Sequence, residues 1–148
     1  MKLNDFIKKG TVKKAEKDIS LAKSLVKTVS EDMEFLNEIK ITQKSARKTM
    51  SNYYDCLRAV IEAMAALDGI KSYSHEAFTF YLKENKKESI LSEKFDRLRK
   101  IRNGIEYYGK EISEEEVKDH KKEILKIIKA LKNKYLKEVK AWINFQRH

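Results

Sequence analysis

Proline is absent from the 148 residues, glycine occurs four times and cysteine once. At average usage a chain of this length would carry about seven prolines and ten glycines. Sandwiches, barrels and propellers need those residues at regular intervals, so turn-dense β architectures are excluded. Cys56 has no partner for an intramolecular disulfide, and a multi-cysteine metal site is excluded with it. Long hydrophobic runs are missing too, because lysine or glutamate interrupts every apolar stretch before it could span a bilayer. Met1–Gly10 lacks the apolar run of a signal peptide, which makes a reducing cytoplasm the expected setting, away from membranes.

What the chain does have is helical periodicity and charge. Hydrophobic residues make up 41%, enough for a core, so the 38% charged fraction does not imply disorder. Val12, Ala15, Ile19, Ala22, Val26, Val29, Met33, Leu36 and Ile39 recur at steps of three or four, which predicts a helix from Thr11, as N-cap, to Ile41. Residues 1–10 are left as an N-terminal arm. A second helix, Gln43–Leu67, ends at Asp68-Gly69, where Gly69 suits a left-handed turn. At least one of Tyr53 and Tyr54 is expected to bridge core and surface. Ser74 can cap a short helix, His75–Leu82, with Glu84–Ser89 as a loop. Phe95, Leu98, Ile101 and Ile105 mark a third long helix, with Gly104 predicting a bend or a close helix approach. Ser113-Glu114-Glu115-Glu116 forms a capping box that opens a last helix reaching past Trp142. The expected fold is all-α, one domain over 1–148, an antiparallel up-and-down bundle of four to five helices without a sheet.

The net charge is +10. From Ile124 onward six lysines face a single acid, Glu138, and Lys126, Lys129, Lys137 and Lys140 fall within roughly 80° of one helix face. Lysine is a compact charge and no aromatic residue interleaves this stripe, so it reads as a solvated face. Arginine makes bidentate phosphate contacts, so Arg97, Arg99, Lys100 and Arg102 are the expected RNA-binding residues. Phosphate loops, nucleophile elbows and metal-ligand spacings are absent, and no cofactor or metal is expected.

The segment LRKIRNGIEYYGKEIS (Leu98–Ser113) resembles the signature of HEPN-domain proteins. SNYYDCLRAVIEAMAALDGIKSYSHEA (Ser51–Ala77) resembles a second HEPN stretch: a tyrosine pair, an alanine-rich helix, a glycine turn and a Ser-His. Together with the first helix the similarity covers about residues 10–135. The resemblance implies a helical bundle, a homodimer with Arg102 near its two-fold axis, and a toxin–antitoxin or defence setting. It also implies RNA or a nucleotidyltransferase-type antitoxin as partner. The family's ribonuclease motif is an arginine, a polar residue and, four to six positions on, a histidine. Arg102 and Asn103 match its start, but Tyr107, Tyr108 and Gly109 stand where the histidine belongs.

That departure removes the group that titrates near neutral pH and moves a proton at the RNA 2′-hydroxyl. A tyrosine hydroxyl, which ordinarily titrates near 10, is a poor substitute. His75 or His120 could replace it only if the fold brings one to Arg102, and His148 is the terminal residue. Arg102 also has an ordinary role open to it, an ion pair with Glu106 one turn on. The reading is therefore a non-catalytic HEPN-like protein acting by dimerisation and RNA or protein binding. The alternatives are a metal-independent endoribonuclease using Arg102, Asn103 and Tyr107, and a purely structural interaction module.

Overall fold

The computed structural model describes residues 1–147 and is an all-α helical bundle carrying one small β ribbon. Its elements in chain order are α1 (Leu3–Lys9), β1 (Val12–Lys14), α2 (Ile19–Glu38), α3 (Ala46–Leu67) and β2 (Ile70–Ser72). They are followed by α4 (His75–Glu84), α5 (Ser89–Tyr108), α6 (Glu114–Tyr135) and α7 (Lys137–Arg147). The α3 helix is the centre: α2, α4, α5 and α6 all pack on it. Its run Ala59–Ala66 is buried almost without interruption, so small side chains let four neighbours approach.

Three boundaries differ from the sequence expectation. The 1–10 arm is a docked helix. Leu3 and Phe6 are buried, the Phe6 and Phe80 rings lie 5.5 Å apart, and the Leu3 amide donates to Glu84 of α4 at 2.8 Å. The first long helix starts at Ile19 rather than Thr11, with Asp18 as N-cap accepting from the Leu21 amide at 2.9 Å. Residues 12–14 instead pair antiparallel with 70–72, Val12 opposite Ser72 and Lys14 opposite Ile70. The cause is non-local. Gly69, at φ +69°, turns the chain back after α3, and its carbonyl accepts from the Ala15 amide at 2.7 Å. The Ala66 carbonyl takes the Asp18 amide, and the Tyr73 amide donates to Thr11. The expectation of no sheet is corrected accordingly.

The last helix is likewise two helices. Leu136 leaves the helical conformation and is fully buried, which re-aims α7 so that Val139 and Ile143 pack inward against α2. Trp142 is about one-third exposed and carries the Lys23 ammonium 4.4 Å above its ring. The capping box at Ser113 and Glu116 is present in both directions, as its spacing required. Ser74 caps α4 through the Ala77 amide. The α5 helix continues without a break through Gly104, where the close approach comes from the Lys110 stem. It ends at Gly109 in the left-handed region.

Candidate anion-binding site

The site is built where α3, α4 and α5 meet. The alternation of buried and half-buried positions along α3 places Tyr54 inward and Asp55 and Arg58 at the rim. Both tyrosines of the pair are buried, so neither bridges to the surface by its own exposure. Tyr54 stacks on Phe95 at 5.7 Å, and its hydroxyl meets His75 Nδ1 at 3.3 Å. On its other side it supports Arg102, whose guanidinium carbon lies 5.6 Å from the Tyr54 centroid and 5.7 Å from that of Tyr107. The guanidinium is thus flanked by two tyrosine rings, one buried and one largely exposed.

Arg102 is only loosely neutralised. Its nearest carboxylate, Asp55, is 3.9 Å away, and Nη1 reaches the Tyr107 hydroxyl at 3.4 Å, the long end of hydrogen bonding. Its Nε is buried and has no acceptor. The expected pair with Glu106 does not form, because Glu106 accepts from the Ser51 hydroxyl at 2.6 Å. That bond, with help from Lys48 and Arg102, holds the Glu106 carboxyl below its usual value. Burial raises the Asp55 carboxyl despite the pull of Arg102 and Arg58. Asn103 follows Arg102 on α5 and is half-buried.

The other expected RNA-binding residues are divided and mostly paired. Arg99 turns to the His75 side and bonds Asp96 at 2.8 Å, while Lys100 holds the same carboxylate at 3.0 Å. Burial alone would raise Asp96, but these two partners outweigh it and hold the carboxyl low. Arg97 points the other way, to Glu123 of α6. Arg97 and Lys100 line a cleft of about 630 Å³ between α5 and the start of α6, floored by Ile101, Ile105 and Ile112. His120 stands beside Arg97 and Glu123, not in the tyrosine-flanked site, and its basicity is lowered first by burial and then by Arg97. His148 lies outside the described residues.

Among the described residues, His75 is the histidine that the fold brings to Arg58, Arg99 and Arg102. Its half-buried ring is pushed down to about 4, first by burial and then by repulsion from Arg58, Arg102 and Arg99. The same burial drives the Tyr54 hydroxyl well above tyrosine's usual range against the pull of those arginines. Neither group titrates near neutrality, which matches both badly to proton transfer at pH 7. Arg58, paired with Glu62, was missed by sequence reasoning; its signal was a lone arginine opening an otherwise apolar stretch of α3. Among the described residues no three His, Cys, Asp or Glu side chains converge as metal ligands would. No helix among them is long and apolar enough to cross a membrane.

The depressed histidine has a consequence for stability. The unfolded ring takes up a proton near 6.5 and the folded one only near 4. The unfolded state therefore binds more protons between those values, and stability falls as pH drops from 6.5 to 4. The expected loss is on the order of 1 kcal/mol, solvent screening at a half-exposed ring reducing what the shift alone would give. Denaturant midpoints measured across this pH range for wild type and His75→Gln check it: the variant should lose that part of the slope.

Comparison of the chain with family models, curated proteins and solved structures returns no match.

Proposed function

We propose that this protein is a non-catalytic, HEPN-like helical module that forms a homodimer and holds RNA phosphate through Arg102. The observation that carries this reading is the state of Arg102: its guanidinium is flanked by two tyrosine rings, its Nε–H is buried without an acceptor, and its ion pair with Asp55 is long, at 3.9 Å. A phosphate oxygen docking on the accessible part of the guanidinium, whose side chain is 16% exposed, gains a charge-assisted bond. Arg99 and Arg58 add positive potential from the same side, and exposed Tyr107 offers a ring on which a base can stack. Arg97 and Lys100, tied to Glu123 and Asp96, make a weaker contribution than their sequence implied.

The chemistry argues for holding rather than cutting. No histidine follows Arg102 at the motif spacing, and His75, in contact with the Tyr54 hydroxyl, stays neutral until well below pH 6. Dimerisation around Arg102, a nucleotidyltransferase-type antitoxin as partner, and a cytoplasmic toxin–antitoxin or defence setting belong to this reading through the resemblance of Leu98–Ser113 and Ser51–Ala77. Fluorescence titration with a single-stranded RNA tests it. Arg102→Ala should weaken binding roughly tenfold or more, and Arg102→Lys, which keeps the charge but loses the planar fork, should recover only part. Equal affinities for all three proteins would refute the RNA role of Arg102. No RNA binding beside an intact dimer in light scattering would leave the structural interaction module.

A further inference from the structure

The positive surplus is not where the arginines are. Most of the cations on α3 and α5 named above are neutralised: Arg58 by Glu62, Arg97 by Glu123, and Arg99 and Lys100 by Asp96. The α6 helix is different. Between His120 and Lys137 the only acid is Glu123, and Arg97 of α5 occupies it. Lys122, Lys126 and Lys129 are exposed, and none of the three makes an ion pair among the described residues. At about 100° per residue they lie within roughly 60° of one another, diametrically opposite the buried line Ile124, Ile128 and Leu131. Lys118, one turn earlier on this face, is held by Glu114, and Lys137 at the start of α7 is exposed. The three lysines therefore form an exposed row in which no member is held by a carboxylate among the described residues.

We infer that the Lys122–Lys126–Lys129 ridge is a second, sequence-independent docking surface for a nucleic-acid phosphate backbone, separate from the Arg102 site. The occupant follows from what the ridge lacks. A protein interface is centred on apolar or aromatic side chains, and this ridge has none. An amphipathic helix that settles on a membrane inserts its apolar face, but that face of α6 is locked in the core. A nucleic-acid backbone needs neither: neutralising its phosphates releases condensed counterions, which drives binding through charge alone. Flexible lysines suit that role, since they follow a backbone without reading a base. The ridge is rigid because α6 is anchored at one end by its capping box and at the other by Tyr135, whose hydroxyl donates to Glu88 at 2.8 Å.

A mixed-sequence duplex RNA is the appropriate probe, because its paired bases are unavailable for stacking on Tyr107. Binding is measured over a salt series for wild type, Lys122→Gln/Lys126→Gln/Lys129→Gln and Arg102→Ala. The triple variant should weaken binding about tenfold and lower the slope of log K against log salt by between about two and three. Arg102→Ala should weaken single-stranded RNA more than duplex and lower the duplex salt slope by about one at most, so failure here and failure of the Arg102 reading are distinguishable. Because the three lysines make no interior contact, the triple variant should keep the wild-type circular dichroism. The inference is overturned if affinity and slope are the same in wild type and triple variant. It is also overturned if only Arg102→Ala loses the duplex, or if vesicles rich in phosphatidylserine are bound and duplex is not.

Discussion

Tyr54→Ala should lower stability by about 3–5 kcal/mol, the range for deleting a buried aromatic side chain. For a domain whose whole stability is about 5–15 kcal/mol, that brings unfolding into reach. The reasons are specific to the position. The Tyr54 ring is fully buried, stacks on Phe95 at an interplanar angle of 20°, backs the Arg102 guanidinium and meets His75 with its hydroxyl. Its removal opens a cavity at the junction of α3, α4 and α5 and strands a guanidinium that already lacks one acceptor. Tyr54→Phe keeps the ring and gives up one bond to His75, so it should cost only about 0.5–1.5 kcal/mol. Denaturant midpoints for the two variants decide it. If Tyr54→Ala were no worse than Tyr54→Phe, the ring would not be the structural floor of the site.

Gly69→Ala carries the second large effect, about 2–4 kcal/mol from two additive causes. The residue sits at φ +69°, which an L side chain rarely adopts, and a Cβ there would lie 2.5 Å from the Ala15 carbonyl oxygen. Because Ala15 and Gly69 are also joined by a backbone hydrogen bond, relief of the clash has to open the end of the β ribbon. Gly109 is the control. It has φ +62° but open space where a Cβ would project, so Gly109→Ala should show the conformational part alone, about 1–2 kcal/mol. Thermal unfolding of the pair separates the two contributions. Equal losses would mean that the 12–14 segment yields freely.

These two positions also show what was legible in the sequence. Gly69 was readable as a helix terminator, because Asp68-Gly69 closes an apolar run with the one residue type that tolerates the turn. Its second role, receiving the Ala15 amide, was not, since residues 12–19 keep a helical spacing of apolar side chains while residues 12–14 lie in a strand. Only the partner strand decides that conflict, and it lies more than fifty residues away in the chain. The break at Leu136 was hidden for a related reason: no glycine or proline marks it, and the burial of Leu136 together with the packing of α7 on α2 is what rewards it.

The site divides in the same way. The Arg102-Asn103 pair was legible locally, and so was the ion pair open to Arg102 with Glu106, a carboxylate that Ser51, fifty-five residues upstream, takes instead. Asp96 lay at the right helical spacing to neutralise Arg99 and Lys100, a signal the sequence contained. Glu123 capturing Arg97 is tertiary, and so is the approach of His75 to Tyr54. The fold sharpened the location of the charge: Arg58, Arg97 and Arg99 are spent on neighbours, and Lys122, Lys126 and Lys129 of α6 are among the lysines without an ion pair among the described residues.

The central claim is that the arginine of the motif is kept for holding RNA while the proton-transfer chemistry is absent. The most direct measurement is prolonged incubation of a single-stranded RNA with a saturating excess of the protein at pH 7, with binding and strand integrity read from the same samples. The account predicts RNA that is bound through Arg102 and remains full-length. Cleavage by the wild-type protein that disappears in Arg102→Ala would contradict it.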